Sequence, residues 1–554
     1  MKRKKPPSFA VLLLAVLSTF FILWKIIMSA VKEMQIKPDL TLDFDITVLE
    51  KLHFIPHMKE TDISTFNRHY GYSIAKSLSK SHTRSLRDTR DIRCQSLALS
   101  SPVKLPSVSV VVTYSEVDRS VLLRNIASIV QRSRPTSIKE IVVVDDGSSD
   151  GNAGKLLQRL KGIQVIRNIK PKGRGIARMQ GASVASAEII IFIDILSEMN
   201  EDWLSPLLRR LSESPKSLVT PVFDSIDPVT FEYQSVPGIH VGGIDWSLRF
   251  RWEEISWNQM NKSDFNISFT KYPIQPGAVF AIRKDFFNWL GKYDMGSGGS
   301  GTEDIDLSLR VWLCGGQVEL IPCSRVGLIN TSRGLLGVQR VPFSSYLRGA
   351  KKIAELWLDE YKRFFYAVRP SARMQPLSDL SSFRKLKEKN KCHSFKWFLT
   401  NIYPQLLPLV SEEIAYGSLR QSDNCIDLDP GQMPLIAKLR PCKADRNSQE
   451  WSWRKKGLIV SNGMCLSSDL INMHGYVVVQ FCQDFTSQKW YRKGLKIVHH
   501  DSSLCLDSVQ GDLALIIADC VKDLPTQAWH FASELGGLPS SKVDFGFSND
   551  KTQL

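Results

Sequence analysis

The stretch AEIIIFIDILSE, residues 187–198, decides the fold. A run of β-branched and aromatic residues reaches a single acid, Asp194, and then turns polar. Such a run predicts a central strand buried on both faces, with a carboxylate presented at its C-terminal edge, where open α/β sheets place their ligands. The residues that follow are Ile195 and Leu196, and neither can bind anything ionic.

Working outward, PSVSVVVT (106–113) predicts a first strand and 120–132 an amphipathic helix. A second strand over 139–144 ends in Asp145-Asp146-Gly147-Ser148-Ser149-Asp150. A helix over 153–161, a strand over 163–167 and a helix over 173–185 lead back to the strand that ends at Asp194. Strands alternating with helices at this spacing predict a parallel βαβ sheet with right-handed crossovers. The layout suits a nucleotide, yet no G-x-x-x-x-G-K-[ST] phosphate loop is present.

The N-terminus speaks to the compartment. Met1-Lys-Arg-Lys-Lys5 precedes Pro6-Pro7 and a largely apolar run over 9–28 whose one charge is Lys25. That run is about long enough to span a bilayer, and the basic cluster before it holds the N-terminus in the cytosol. The expectation is a single-pass signal anchor with the remainder lumenal; cleavage of a signal peptide near Met28-Ser-Ala30 is the alternative. Either places the chain in an oxidising compartment, consistent with ten cysteines and the sequons at Asn261, Asn266 and Asn330. The 554 residues carry a formal charge of +16 and are 43% hydrophobic, which suggests two or more domains. The basic residues are scattered, with no basic helix and no zinc spacing, which argues against a nucleic-acid partner.

Toward the C-terminus the chain repeats itself. Cys425-Ile-Asp427, Cys465-Leu-Ser467 and Cys505-Leu-Asp507 recur with Gln449-x-Trp451, Gln488-x-Trp490 and Gln527-x-Trp529. Three such units, each too small to bury its own core, predict a β-trefoil. The second cysteine of each unit makes Cys425–Cys442, Cys465–Cys482 and Cys505–Cys520 the natural bridges. Asp427 and Asp507 are candidate sugar-binding acids because a carboxylate accepts two hydroxyls, whereas Ser467 lacks that capacity. Their alternative is that of plain turn residues in an all-core motif.

Several segments now carry a family resemblance: VVVDDGSSD (142–150), FID (192–194), GGIDWSLRFRW (242–252), FAIRKDFF (280–287), LGKYDMG (290–296) and EDIDLSLRVWLCGGQVELIPCSRVG (303–327). In this order they resemble the polypeptide N-acetylgalactosaminyltransferases. The resemblance implies a GT-A fold with Mn²⁺, transfer of GalNAc from UDP-GalNAc to Ser or Thr of a protein acceptor, a ricin-type lectin domain that binds GalNAc, and a Golgi membrane. It also implies the bridges Cys94–Cys323 and Cys314–Cys392. The organisation expected is a cytosolic tail (1–8), transmembrane anchor (9–28), stem (29–83), GT-A domain (84–395), linker (396–411), ricin B-type trefoil (412–533) and polar tail (534–554).

The family's site maps unevenly onto this chain. Its metal is held by Asp-x-His and by the His of Val-Gly-His, but the residues here are Asp194-Ile195-Leu196 and Val326-Gly327-Leu328, so both imidazoles are replaced by leucine. Trp-Gly-Gly-Glu-Asn becomes Ser300-Gly301-Thr302-Glu303-Asp304, which keeps the acid. A donor-binding Arg falls on Pro171, flanked by Lys170, Lys172 and Arg174; an Arg and a Tyr beyond Val-Gly-His fall on Thr331 and Leu336, with Arg333 nearby. By resemblance Thr113, Asp146, Asp194 and Arg333 would face the donor, and Glu303 and Asp304 would act in catalysis. A lone carboxylate holds a divalent ion weakly, so Mn²⁺-dependent transfer is expected to be impaired or lost. Two alternatives stay open: metal-free transfer with basic side chains on the diphosphate, and a lumenal protein that only binds carbohydrate or glycopeptide. A transferase with another donor is a third.

Overall fold

The computed structural model describes residues 60–534 except 100–104, 135, 151, 237, 239, 256–266, 295–300, 330, 332–341, 407–412, 429–434, 444–446, 462–463, 469–474, 484 and 510–512. The expected anchor (9–28), the sequons, Arg333, Leu336 and almost all of the polar tail lie outside the described residues. Among the described residues no helix is long and apolar enough to cross a membrane.

The chain begins with three short helices, α1 (Glu60–Tyr70), α2 (Ile74–Ser79) and α3 (Arg93–Leu99). A βα succession follows: β1 (Val108–Tyr114), α4 (Arg119–Gln131), β2 (Ile138–Asp146), α5 (Asn152–Leu157), β3 (Ile163–Asn168), α6 (Arg174–Val184) and β4 (Ile189–Asp194). Beyond Asp194 come β5 (Ser197–Met199), α7 (Leu204–Glu213), β6 (Ser217–Ile226), β7 (Tyr233–Gln234), β8 (His240–Ile244), β9 (Phe250–Glu254), β10 (Thr270–Lys271) and β11 (Val279–Arg283). Then α8 (Lys284–Trp289), α9 (Glu303–Leu313) and β12 (Gln317–Ile329) complete the sheet.

The sheet order is β10-β12-β6-β11-β4-β1-β2-β3. Strands β4, β1, β2 and β3 run parallel, as the βαβ pattern requires, whereas β11 is antiparallel to both β4 and β6. The sheet is therefore mixed, and the purely parallel expectation holds for its first half. In β4, Ile189, Ile190, Ile191, Phe192 and Ile193 are all fully buried; at about 1.5–3 kcal/mol per fully buried side chain, this strand anchors the layer. The connection from β1 leads outward to β2 and β3, and the chain then returns across β1 to place β4 on its other side. The direction of winding reverses between β1 and β4, where Thr113 and Asp194 are register partners. Ligands of open α/β sheets sit at this reversal.

The last part of the expected stem is folded. Tyr72 donates to Asp118 at 2.6 Å, Arg124 donates to Ser77 at 2.8 Å, and Arg84 and Arg124 both pair with the buried Glu198 of β5. Likewise the expected linker opens in a helix, Phe395–Asn401, whose Phe398 and Leu399 are buried with Tyr403 in the GT-A core. Both segments read as polar or short in sequence because their partners lie far away along the chain.

The second domain is a trefoil with Trp451, Trp490 and Trp529 fully buried at its centre. Each indole donates to the backbone carbonyl after the repeat's first cysteine, Ile426, Leu466 and Leu506, at 2.9 Å in every case. Five disulfides brace the chain: Cys94–Cys323, Cys314–Cys392, Cys425–Cys442, Cys465–Cys482 and Cys505–Cys520.

The domains meet where Tyr416 of the trefoil packs edge-on against Phe364, ring centroids 5.9 Å apart. The Tyr416 hydroxyl also bonds Glu450. Burial, reinforced by the Asp245 carboxylate of the GT-A domain and opposed by Arg369 and Arg251, pushes the Glu450 carboxyl up to about 8. A carboxyl raised in the folded state stabilises fully below its unfolded value near 4.5, and this contribution fades as pH rises through the folded value. Between about pH 5 and 8 the thermal midpoint of the wild type is expected to fall relative to that of Glu450→Gln, by the equivalent of roughly 1–3 kcal/mol. Parallel pH profiles for the two proteins would refute the coupling.

Candidate functional site

The site is built at the C-terminal edges of β1, β2 and β4. At β2, Asp145 accepts the Ser148 amide at 2.9 Å and an Arg167 nitrogen at 3.1 Å. Asp146 turns the other way and accepts the amides of Lys172 and Gly173 and the Asn168 side chain, each at 2.8 Å. Its carboxylate is thereby committed to shaping the loop 168–173. Gly147 permits this approach: at φ +74°, a Cβ there would stand 2.5 Å from the Pro171 nitrogen. The loop leaves Lys170 and Lys172 exposed and delivers Arg174 as the first residue of α6.

Asp194 is buried at the end of β4, where one oxygen accepts the Leu196 amide at 3.1 Å. Burial pushes its carboxyl above the ordinary range, and Arg174 offsets this only in part. Leu196 and Leu328 are 8% and 3% exposed, and the Leu196 carbonyl accepts the amide of Ile329, so the two leucines lie on adjoining backbones just past Asp194. This donor set does not fit a divalent metal. Manganese asks for oxygen or imidazole donors, and both of these leucines are aliphatic and buried. Among the described residues no group of three His, Cys, Asp or Glu is arranged to hold a metal ion.

Asp304, the second residue of α9, forms the hub of a buried ionic cluster. It accepts from Arg178 at 3.0 Å, Gln275 at 2.9 Å and the Tyr293 hydroxyl at 2.6 Å, and it pairs with Arg174 on its other oxygen. Burial alone would raise its pKa, yet Arg174 and Arg178 outweigh it and hold the carboxyl below the ordinary range. Gly277 is required beside it, since at φ +78° a Cβ would come 2.0 Å from the Asp304 oxygen. Arg178, Gln275, Gly277 and Tyr293 are residues the sequence reading did not single out. No local pattern marks them, because they converge on Asp304 from separate elements.

Glu303 is 7% exposed, and its Oε2 atom is buried with no hydrogen-bond partner among the described residues. It packs over Gly175, where a Cβ would lie 3.1 Å from Glu303 Cγ. Thr113 is buried at the end of β1, and Thr331 is buried just past β12. The structure therefore brings Thr113, Asp146, Asp194, Glu303 and Asp304 to one sheet edge, with Arg174 among them.

In the trefoil, Asp427 and Asp507 are buried and each accepts the side-chain amide of its own repeat's glutamine, Gln449 at 3.0 Å and Gln527 at 2.9 Å. Those glutamines are fixed in turn by the amides of Lys443 and Val521. The middle repeat keeps the glutamine, with Gln488 accepting the Gln483 amide, but Ser467 offers it no carboxylate. The first and third repeats thus share an oriented carboxylate that the second lacks.

Residues 109–290 match the glycosyl transferase family 2 model and residues 415–529 the ricin-type beta-trefoil lectin domain. The chain is 34% identical to human polypeptide N-acetylgalactosaminyltransferase 14 over 84% of its length and 86% of that protein. It is 36% identical to mouse polypeptide N-acetylgalactosaminyltransferase 16, covering 83% and 84% of the two chains. This chain belongs to the polypeptide N-acetylgalactosaminyltransferase family. A solved structure of GalNAc-T7 with UDP, GalNAc and Mn²⁺ superposes with a TM-score of 0.70 at 26% identity, covering 86% of this chain and 90% of that one. In this family member, the glycosyltransferase domain is a GT-A fold and the second domain a ricin-type trefoil. That structure holds Mn²⁺, whereas among the described residues here no group of three His, Cys, Asp or Glu is arranged to hold a metal.

Proposed function

We propose that this chain is a single-pass type II protein of the Golgi membrane, with lumenal GT-A and trefoil domains, that has lost Mn²⁺-dependent transfer of GalNAc from UDP-GalNAc to Ser or Thr. It acts in mucin-type O-glycosylation by binding protein or glycopeptide, with GalNAc taken at Asp427 and Asp507. The observation that carries this reading is that Leu196 and Leu328, both buried and on hydrogen-bonded backbones just past Asp194, offer no metal ligand. A divalent ion there would shed water and gain no replacement ligand from either side chain. Without it, the charge on a departing diphosphate would lack its usual counterweight. The intact hydrogen-bonded Asp–Gln pairs of two trefoil repeats support the binding role.

The test is transfer of GalNAc to Ser/Thr peptides by the purified full-length chain in detergent, with and without Mn²⁺, alongside titration of the same chain with GalNAc. The expected result is no Mn²⁺-stimulated transfer, with GalNAc binding abolished by the combined replacement Asp427→Asn and Asp507→Asn. Robust transfer that requires Mn²⁺ would overturn the loss of metal chemistry, and undiminished GalNAc binding by the double variant would overturn the assignment of the lectin sites.

A further inference from the structure

The guanidinium of Arg174 stands where the acids of this site converge. Its Nη2 atom pairs with Asp304, and its Nη1 atom lies 4.0 Å from an Asp194 oxygen. That Nη1 atom is buried without a hydrogen-bond partner among the described residues, as is Glu303 Oε2. Three carboxylates, Asp194, Glu303 and Asp304, therefore face two guanidiniums, Arg174 and Arg178. Both terminal nitrogens of Arg178 are engaged: Nη1 bonds Asp304 and Tyr293, and Nη2 bonds the Gly277 carbonyl. Arg174 is anchored at one end and has an N–H to spare at the other.

We propose that Arg174 is the resident cation of this site, and that the site takes a nucleoside diphosphate with no divalent ion. The proposal deepens the loss of metal chemistry stated above and rests on it. An ion bound to Asp194 would share the carboxylate with a guanidinium nitrogen 4.0 Å from its oxygen. Arg174 thus already takes up part of the negative charge that would otherwise draw a cation. A diphosphate, by contrast, meets a planar donor already held in place by Asp304, and guanidinium N–H groups match phosphate oxygens in geometry and charge. Arg174 opens α6, an eleven-residue helix, and its Nη1 atom reaches toward Asp194 at the winding reversal, the edge where ligands enter. Lys170 and Lys172 are exposed on the loop that precedes Arg174.

The experiment is calorimetric titration of the full-length chain in detergent and EDTA with UDP and with uridine, repeated with Mn²⁺, for the wild type, Arg174→Gln and Arg174→Lys. The wild type is expected to bind UDP in EDTA, about tenfold or more tighter than uridine, with Mn²⁺ changing the affinity less than about twofold. Arg174→Gln is expected to remove most of the UDP advantage over uridine, and Arg174→Lys to keep part of it. The wild-type ratio of UDP to uridine affinity needs no variant, so a misfolded Arg174→Gln protein leaves the proposal open to refutation. A wild-type ratio near one overturns it. UDP binding that requires Mn²⁺ overturns both this proposal and the loss of metal chemistry. Absence of UDP binding under every condition overturns the proposal alone, leaving the binding-protein reading intact, and metal-free UDP binding that Arg174→Gln does not alter overturns the assignment to Arg174.

Discussion

Asp304→Ala will destabilise the GT-A domain by about 3–5 kcal/mol, because it removes the single anion that pairs with two buried guanidiniums. Arg178 is fully buried and Arg174 largely so, and both bond the Asp304 carboxylate together with Gln275 and Tyr293. Deleting the hub leaves these donors facing one another, and water cannot reach Arg178 to replace it. A loss of this size is a substantial fraction of an ordinary domain's stability. The measurement is the urea midpoint of the GT-A transition, with hydrogen exchange read on peptides spanning 174–178 and 275–278. Faster exchange in both segments is expected. An unchanged midpoint would mean that the cluster contributes nothing net and that helix α9 is held by packing alone. Asp304→Asn should fall between, since it keeps one acceptor but turns an amide N–H₂ toward the guanidiniums.

Trp529→Ala will cost the trefoil about 3–5 kcal/mol. The indole is fully buried and its N–H satisfies the Leu506 carbonyl at 2.9 Å, so the change both opens a cavity and strands an acceptor. Trp529→Phe separates the two effects: it refills most of the volume but leaves the carbonyl unpaired, at a cost of about 1–3 kcal/mol. Because Trp451 and Trp490 make the same bond in their own repeats, their replacement should cost a similar amount. The trefoil transition should move while the GT-A transition stays put. A variant in which Trp529→Ala leaves the trefoil's urea midpoint where it was would refute the shared-core account of the three repeats.

The site was only half legible in the sequence. Asp194, Glu303 and Asp304 stand in recognisable motifs, and the leucines at 196 and 328 offer no metal ligand by their type alone. What the sequence left open was which basic residue faces the acids, since Lys170, Lys172 and Arg174 are equivalent on paper. The fold separates them: the lysines lie on the exposed loop, while Arg174 begins α6 and turns onto Asp304. Asp146 shows the reverse. Its motif suggests a ligand contact, yet its oxygens accept the amides of Lys172 and Gly173, and through that turn it sets where Arg174 begins.

By itself the sequence determined what depends on local period and on repetition. Buried apolar runs against helical spacing specify the βα succession through β4, and a thrice-repeated cysteine and Gln-x-Trp specify the trefoil, because each pattern is satisfied within a few tens of residues. Tertiary structure decided what depends on partners distant in sequence. It inserted antiparallel β11 beside β4, folded the segment around Tyr72 and Arg84 onto β5 and α4, and gathered Arg174, Arg178, Gln275 and Tyr293 around Asp304. The physical reason is that a buried charge must find its counter-charge wherever the chain can supply one, and no spacing along the sequence records that choice.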